Sequence, residues 1–342
     1  MVLDVIFERF AAQSPVTVMA RAALEHALDP SAIDALFEEV AQRQYTRTLL
    51  FSTVVDLMST VVCNVRPAIH AAFQANAESI GVSLRAVYDK IDRTEPGLSA
   101  ELVRHTARTL GPVLTAMGGG RTAWLPGYSI KILDGNHLAG TEHRLKELRS
   151  VGAGALPGHA LVVLDPQAML VTDVFPCEDG HAQERSLLDQ VLETIRPGEV
   201  WIADRTFCTT GFLFGIARRG GSFVIRQHGA TLHIEWVGER RPCGRTETGA
   251  VFEQQVRLSD GDGETMLVRR ITVELGKPTR DGETEIHILT NLPAEVAAAR
   301  RIAELYRRRW TVESAYLISG LAGAQSFRLL PCAESTSLQI VG

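Results

Sequence analysis

The sequence lacks the features that mark membrane-spanning, secreted and disulfide-bonded proteins. Its longest apolar stretch, Leu49 to Val65, is interrupted by polar side chains and falls short of the ~20 apolar residues that a membrane span needs, so we expect a buried helix there. The N-terminus has no basic segment followed by an apolar core and a small-residue cleavage site, so no secretory signal is visible. The five cysteines are scattered and never spaced C-x-x-C, which argues against a disulfide framework and a zinc site. These absences predict a cytoplasmic protein without a membrane partner.

The chain as a whole also has no excess of positive charge, because its formal net charge is −5. Spread evenly, that charge would argue mildly against nucleic-acid binding. However, residues 218–245 carry six arginines against two glutamates, and residues 297–310 carry five arginines against one glutamate. Because local fields decide where a phosphate backbone docks, these two segments are candidate DNA contacts.

The N-terminal third of the chain has the periodicity of helices. Residues 1–122 are predicted to form an all-helical domain, in which Ser31 and Ser99 are candidate N-cap residues. Gly118–Gly120 marks the joint at which this periodicity ends.

Residues 70–93 predict a helix, a turn at residues 80–82 and a second helix capped by Ser83. Polar positions of this segment carry Arg85, Lys90 and Arg93. The spacing suits a DNA-binding helix-turn-helix. Two helices packed in a core are the more common meaning of such spacing, so both interpretations stay open.

Residues 123–342 are predicted to form an α/β domain with a ribonuclease-H-like core. The expected elements are strands 129–134, 159–164 and 169–175, helix 183–194, strand 200–204, helix 210–219 and strand 222–226. Three strands, helix, strand, helix and strand is the order of such a core. Residues from about 228 to 292 read as an antiparallel β insertion, and a helix is predicted from about residue 294 to about residue 317.

Two predicted strands of this core end on an aspartate, Asp134 in ILDGNHL and Asp204 in VWIADR. The pair Asp134-Gly135 is also an ordinary turn pair, so a purely structural interpretation is open. In a ribonuclease-H-like sheet the first and fourth strands are neighbours, so the two carboxylates would emerge side by side. Such carboxylates repel each other unless a cation lies between them, and a divalent metal ion is the economical solution.

A third candidate acid, Glu313, lies in the last predicted helix, in LYRRRWTVES. At 100° per residue, Tyr306, Arg309 and Glu313 fall within about 60° of one another, beside an apolar stripe. A half-buried acid needs a partner. Arg309 could be that partner in a structural ion pair, which is the alternative to a functional role.

Asp134, Asp204 and the pattern Tyr306-x2-Arg309-x3-Glu313 together resemble the DDE transposases of bacterial insertion sequences, in the group with the YREK signature. The resemblance covers most of the chain. It implies that Asp134, Asp204 and Glu313 bind two Mg²⁺ or Mn²⁺ ions, since these ions prefer carboxylate oxygens. The implied reaction is phosphodiester hydrolysis at the element's ends, followed by strand transfer into target DNA by the freed 3′-hydroxyl.

The resemblance also implies DNA contacts. Tyr306 and Arg309 would hold phosphate near the cleaved end, the arginine by a charge-assisted fork. Trp236 is a candidate to stack on an unpaired base at a distorted DNA end, or it is a tryptophan of a sheet core. Three further arginines are candidate DNA-binding residues, Arg205 directly after Asp204 and Arg240 and Arg241 near Trp236.

Three other side chains have weaker claims to a role. His137 could approach the metal site or only cap a turn, whereas Asp165 reads as a turn residue and Asp173 as an edge charge.

The chain departs from the signature where a lysine is expected seven residues after the glutamate, because Gly320 stands there. The following residues lack the amphipathic repeat of a helical tail, which leads us to expect a truncated or altered chain beyond about Leu317. The metal-ligand candidates are kept, but strand transfer and end pairing are in doubt. Two alternatives therefore stay open, namely a non-catalytic remnant that binds DNA ends and inhibits an intact transposase, and a ribonuclease-H-like nuclease without transposition. Double-stranded DNA is the expected partner, and pairing of two ends suggests a homodimer associated with the bacterial nucleoid.

Overall fold

The computed structural model describes residues 14–44, 46, 48–63, 65–137, 159–177, 183–228, 232–279, 282–310, 331–332 and 336–337. None of the helices in these ranges is long and apolar enough to cross a membrane. The apolar stretch from Leu49 forms a 12-residue helix whose Phe51, Val54 and Leu57 are buried, as expected.

Helices account for the described N-terminal part, as predicted. They are α1 (Pro15–Ala27), α2 (Pro30–Val40), α3 (Phe51–Val62), α4 (Ile69–Ile80), α5 (Leu84–Asp92) and α6 (Pro96–Ala116). The predicted caps of α2 and α6 are wrong, because each helix begins before the serine. Asp29 accepts a hydrogen bond from the backbone of Ala32, and Pro30 and Pro96 occupy first-turn positions, where a fixed φ and a missing N–H favour a helix start.

The helix-turn-helix segment has the local form that the sequence predicts. Gly81 ends α4 in the left-handed conformation, and the Ser83 hydroxyl accepts a hydrogen bond from Ala86 to cap α5. Arg85 is fully exposed, but Lys90 is half-buried and its ammonium lies 4.2 Å from the ring centre of Phe37. Lys90 is therefore part of the helical packing, and DNA binding by α5 remains a prediction.

One mixed sheet dominates the second half of the chain. It contains β1 (Ser129–His137), β2 (His159–Asp165), β3 (Leu170–Cys177), β4 (Glu199–Ala203), β5 (Ser222–Arg226), β6 (His233–Trp236), β7 (Arg241–Arg245), β8 (Gly249–Ser259), β9 (Thr265–Leu275) and β10 (Glu285–Thr290). The order is β3-β2-β1-β4-β5-β10-β9-β8-β6, with β7 also paired to β8. The β1–β4 and β4–β5 pairs are parallel, and the other described pairs of this sheet are antiparallel.

The predicted antiparallel insertion is present and continues the same sheet. Its last strand, β10, pairs with β5, the strand after which the insertion begins. The inserted strands therefore extend one edge of the core. This arrangement places loops of the insertion next to the end of β5. A short two-stranded pair, β11 (Pro331–Cys332) and β12 (Thr336–Ser337), lies outside this sheet.

Helices cover both faces of the sheet. On one face, α7 (Leu188–Thr194) and α8 (Thr210–Arg218) pack on β1, β4 and β5, and on the other face α9 (Ala299–Arg307) buries Ile302, Leu305 and Tyr306. Short 3₁₀ helices precede α7 at Glu184–Leu187, follow β4 at Arg205–Phe207 and follow α9 at Arg308–Trp310. The last helix begins at Ala299, later than the predicted residue 294, and its described α-helical part ends at Arg307.

The N-terminal helices are attached to the edge of the sheet through α6 and β3. The guanidinium of Arg104 donates to Asp173 at 2.6 Å and also pairs with Glu101 on its own helix. Asp173 is buried, and desolvation raises its pKa against the opposing effect of Arg104. Asp173 lies on the edge strand, as the sequence suggests, and its charge is buried in the ion pair with Arg104. Asp165 caps the turn after β2, as expected.

Candidate active site

Asp134 and Asp204 occupy matching positions on neighbouring strands. Leu133 of β1 pairs with Ala203 of β4 in a parallel register, and each aspartate is the next residue along its chain. The expectation that the first and fourth strands are neighbours is therefore confirmed. The turn interpretation of Asp134-Gly135 is wrong, because β1 continues to His137 and Gly135 pairs with Leu161 of β2.

The glycine after Asp134 has a packing role. The carboxylate of Glu184 lies where a Cβ of residue 135 would stand, so any side chain there would displace Glu184. The Gly135 N–H donates to Oδ1 of Asp134 at 3.1 Å.

The Asp134 side chain lies on the face of the sheet that α9 covers. Ile132 packs with residues of α9 in one buried cluster, whereas Leu133 belongs to the cluster on the opposite face. Successive side chains of a strand point to opposite faces, so Asp134 shares the face of Ile132. Its side chain is 18% exposed. The carboxylate is therefore mostly shielded but still reachable from solvent.

Tyr306, in the last turn of α9, contacts the second aspartate. Its hydroxyl donates a hydrogen bond to Oδ1 of Asp204 at 3.2 Å. Burial and then the charge of Asp204 raise the pKa of Tyr306 well above its usual range. The hydroxyl consequently keeps its proton at physiological pH and remains a donor to the carboxylate.

Arg309 contacts the first aspartate. Its Nη1 donates to Oδ2 of Asp134 at 3.3 Å, and the residue is buried. Arg309 belongs to the 3₁₀ turn after α9, so the angle of 100° per residue does not describe its position relative to Tyr306. The suggested structural pair with Glu313 lies outside the described residues.

Arg226 and Glu283 also adjoin this site. Arg226 lies in the arginine-rich segment 218–245, which the sequence offers as a DNA contact, but neither residue is predicted to lie beside the aspartates. Arg226 ends β5, and its guanidinium is hydrogen-bonded to Glu283 in the loop between β9 and β10. Burial lowers the pKa of Arg226, but the hydrogen bond to Glu283 and the proximity of Tyr306 and Asp204 outweigh it and raise the pKa. Arg205 also pairs with Glu283, at 3.1 Å.

One signal in the sequence could have identified Arg226. Like Asp204, which directly follows β4, Arg226 is a charged residue at the end of an apolar strand, and that strand is the neighbour of β4. Glu283 left no comparable signal, because only the return of β10 to β5 brings its loop to this position.

The aromatic candidate Trp236 lies on the sheet extension. The sheet-core interpretation is wrong, since Trp236 is 55% exposed. The guanidinium carbon of Arg270 is 5.0 Å from the centre of the Trp236 ring, and Arg270 also donates to Gln227, the residue after Arg226. This chain of contacts connects Trp236 to the end of β5.

The two other arginines of the insertion differ in their surroundings. Arg240 stacks over Phe252 at 4.1 Å and pairs with Glu274 and Glu285, whereas Arg241 is exposed at the start of β7.

The third candidate acid, Glu313, lies outside the described residues, as does Gly320. His137 lies in β1 and pairs with His159 of β2, so the turn that the sequence suggests after Asp134 is absent at this position. Within the part of the chain that the structure describes, no three His, Cys, Asp or Glu side chains gather closely enough to hold a metal ion. Asp134 and Asp204 are therefore two carboxylates on neighbouring strands whose oxygens could bind a divalent cation.

Comparison with known families identifies the region of the chain that contains these residues. The model of the family described as Transposase DDE domain matches residues 125–316, more than half of the chain. That range contains Asp134, Asp204, Arg226, Glu283 and the whole of α9. No curated protein matches the chain. On the strength of the family match, the chain belongs to the transposase DDE domain family.

Proposed function

We propose that this chain is a metal-dependent transposase of the insertion-sequence type with the YREK signature. It cleaves phosphodiester bonds at the ends of its element and joins those ends to target DNA. Asp134, Asp204 and Glu313 form the catalytic acidic triad. The observation that carries the proposal is that Tyr306 and Arg309, two signature residues near the end of α9, contact the two aspartates of β1 and β4.

The strand order supports a ribonuclease-H-like core within the α/β fold. Strands β3, β2 and β1 are antiparallel neighbours, β1 pairs in parallel with β4, and β4 pairs in parallel with β5. Helices cover both faces, and the insertion enters after β5. Asp134 within β1 and Asp204 directly after β4 then lie on neighbouring central strands, where such a core would bring them together.

The donor atoms fit a divalent cation. Transposases of this family generally use divalent metal ions, and Asp134 and Asp204 offer the carboxylate oxygens that Mg²⁺ and Mn²⁺ prefer. With Glu313 as the third ligand, two bound ions would supply activation of a water or 3′-hydroxyl and stabilisation of the leaving oxygen.

The chain's own residues orient the acids and the DNA. Tyr306 holds Asp204 through its hydroxyl, and Arg309 holds Asp134, so α9 keeps both carboxylates on one face of the sheet. The Tyr306 hydroxyl and the Arg309 guanidinium can also donate hydrogen bonds to phosphate oxygens close to the cleaved bond. Arg205 and Arg226 add two guanidinium groups beside Asp204, and such forks match the geometry of a phosphodiester.

The sheet extension and the N-terminal helices provide a wider DNA surface. Trp236 is exposed and stacked by Arg270, which suits the binding of a base that has left its duplex. Arg240 and Arg241 lie on the same extension and would contact the backbone. Because the reaction joins two element ends, the active assembly is a homodimer on DNA, which associates the protein with the bacterial nucleoid.

Cleavage of the chain's own element ends tests the proposal. The purified chain is incubated with DNA that carries the inverted repeats flanking its gene, with Mg²⁺ or Mn²⁺, and the strands are mapped at nucleotide resolution. Asp134→Asn and Asp204→Asn keep the side-chain shape beside Arg309 and Tyr306 but remove the charge. Cleavage at the repeat boundary by the wild type, its loss in both variants and its retention in Asp189→Asn, an exposed acid on α7, is the expected result. Cleavage that survives in both variants contradicts the proposed triad.

A second candidate function rests on Gly320, which stands where the signature has a lysine. In this alternative the chain binds element ends without cutting them and inhibits an intact transposase. The same experiment separates the two functions, because specific binding without cleavage in either metal ion favours the inhibitor. Restoring the signature with Gly320→Lys then tests whether the missing ammonium is the cause.

A further inference from the structure

Glu283 occupies the space between two arginines that flank Asp204. Its Oε1 accepts from Nη1 of Arg205 at 3.1 Å, and its Oε2 accepts from Nη2 of Arg226. Both oxygens of one carboxylate are thus engaged by different guanidinium groups. The Glu283 backbone N–H donates to the Thr279 hydroxyl at 3.1 Å, which holds the residue in its loop.

The two arginines differ in accessibility in a way that bears on binding. The side chain of Arg226 is 17% exposed, whereas those of Arg205 and Glu283 are 43% and 33% exposed. Arg226 is therefore mostly buried at the end of β5, whereas Arg205 faces solvent. An anion from solvent that bridges both guanidinium groups would take the position that Glu283 now occupies.

A carboxylate and a phosphodiester present the same recognition chemistry to arginine. Each offers two oxygen acceptors that share one negative charge, and each is bound by forked N–H donors. Glu283 therefore imitates a backbone phosphate in this position. Its charge also repels a DNA backbone that approaches Asp204, and the repulsion lasts while the acid remains there.

We propose that Glu283 is a built-in competitor for DNA phosphate, which closes the Arg205–Arg226 site until the substrate backbone displaces it. The inference rests on the proposed function, since it takes DNA as the ligand. It assigns to the loop between β9 and β10 a role in restricting access to the site. Displacement exchanges one anion for another on the same two arginines, so it needs no change in the sheet.

DNA affinity of the full-length chain tests the inference. Binding to a fluorescent duplex that carries the flanking inverted repeat is measured by anisotropy in EDTA, where no cleavage occurs, at several salt concentrations. Glu283→Gln is nearly isosteric and is expected to bind about five- to tenfold more tightly at low salt. Its salt dependence should be steeper by about one phosphate contact, because both arginines become available to the backbone.

The matched control is Glu247→Gln. Glu247 also lies in a loop of the insertion and is also paired with an arginine, Arg307, but it is 81% exposed. The substitution removes the same charge, and we expect less than a twofold change in affinity. An equal gain in both variants would show a general charge effect and overturn the inference.

A double variant tests whether the effect acts through Arg226. In an Arg226→Gln background, Glu283→Gln should improve binding by less than twofold. The phosphate site then lacks one of its two guanidinium groups. A gain in affinity that persists in the Arg226→Gln background overturns the inference. A Glu283→Gln variant that binds DNA no more tightly than the wild type also overturns it.

Failure of the inference can be distinguished from failure of the proposed function. If the wild type itself binds no DNA, the proposed function fails. If the wild type binds DNA and Glu283→Gln gains no affinity, only the inference fails. Thermal melting of each variant checks that the fold is kept.

Discussion

The hydroxyl of Tyr306 donates a hydrogen bond to the carboxylate of Asp204, which lies 102 positions earlier in the chain. The contact connects α9 to the end of β4 across the whole β insertion. Three residues further on, Arg309 makes the equivalent contact with Asp134 at the same edge of the sheet. The last turn of α9 and the 3₁₀ turn that follows it therefore hold both carboxylates in place.

Removing the Tyr306 hydroxyl should impair cleavage more than folding. Tyr306→Phe keeps the buried ring but loses the donor to Asp204, and a hydrogen bond to a charged group contributes about 1.5–3 kcal/mol. We expect DNA cleavage to slow by about 10- to 100-fold, with the melting temperature lowered by only a few degrees. Rates under single-turnover conditions and thermal melting are the two measurements. A rate close to the wild-type rate would show that the hydroxyl does not orient Asp204.

Divalent metal ions should stabilise the protein through the aspartate pair. A ligand that binds only the folded state raises the melting temperature by an amount that grows with the logarithm of its concentration above Kd. We expect Mn²⁺ to raise it in the wild type and to have little effect in Asp134→Asn. Arg309→Gln should respond more strongly than the wild type, because the guanidinium competes for Oδ2 of Asp134. Equal responses in all three proteins would place metal binding elsewhere.

Trp236 should contribute to the binding of DNA with an unpaired base at its end. Stacking of a base on an aromatic side chain contributes about 1–3 kcal/mol, so Trp236→Ala should weaken binding of such an end by about 5- to 100-fold. Fully paired duplex should be affected much less. Leu267→Ala is the control, because Leu267 on β9 of the same insertion is exposed to about the same degree and has no ring to stack. Equal losses for the two DNA substrates would argue against stacking.

The ion pair between Arg104 and Asp173 should stabilise the attachment of α6 to the sheet. Arg104→Ala leaves a buried carboxylate without its guanidinium, a change that costs about 3–5 kcal/mol for a fully buried pair. Since the Arg104 side chain is 28% exposed, we expect about 2 kcal/mol, measured by urea unfolding. Arg85→Ala removes an exposed arginine from α5 near Asp89 and should change stability by less than about 0.5 kcal/mol. Similar values for both variants would contradict the anchoring role.

His287 should make the protein less stable in mild acid. Burial, and then the neighbouring Arg270, lower its pKa from 6.5 to about 4. Between these two values the unfolded chain binds more protons than the folded chain, so stability falls as the pH decreases from about 6.5 to 4. This residue contributes at most about 1.4 kcal/mol per pH unit.

The variant His287→Gln should flatten the dependence of the melting temperature on pH between 7 and 4.5. The exposed His233 on β6 provides the control, since His233→Gln should leave that dependence unchanged. A wild-type slope retained in His287→Gln would show that other groups cause the acid sensitivity.

Much of the local structure could be predicted from the sequence. The strand Ser222–Arg226 has the predicted bounds, and the helix from Thr210 ends one residue earlier than expected. Apolar alternation and helical periodicity are local properties that survive in the fold because they decide which side of an element is buried. The starts of α2 and α6 differ from the predicted serine caps because each helix begins at a proline that precedes the serine.

The candidate site could be predicted only in part. Asp134 and Asp204 were found because a charge at the end of an apolar strand is unusual, and the spacing of Tyr306 and Arg309 was recognisable as a motif. The partners of these residues were not visible, since Arg309 was expected beside Glu313 and its described hydrogen bond to Asp134 crosses 175 residues. Glu283 was missed for the same reason.

The sequence by itself determined which segments become strands and helices and where the carboxylates and arginines lie along them. Only the tertiary structure decided which charges meet, because pairing of β4 with β1, return of β10 to β5 and packing of α9 bring distant segments together. Electrostatic contacts act over a few ångströms in space, and the spacing of residues along the chain does not show which charges will meet. The arrangement of Asp134, Asp204, Arg226 and Glu283 is therefore a property of the fold.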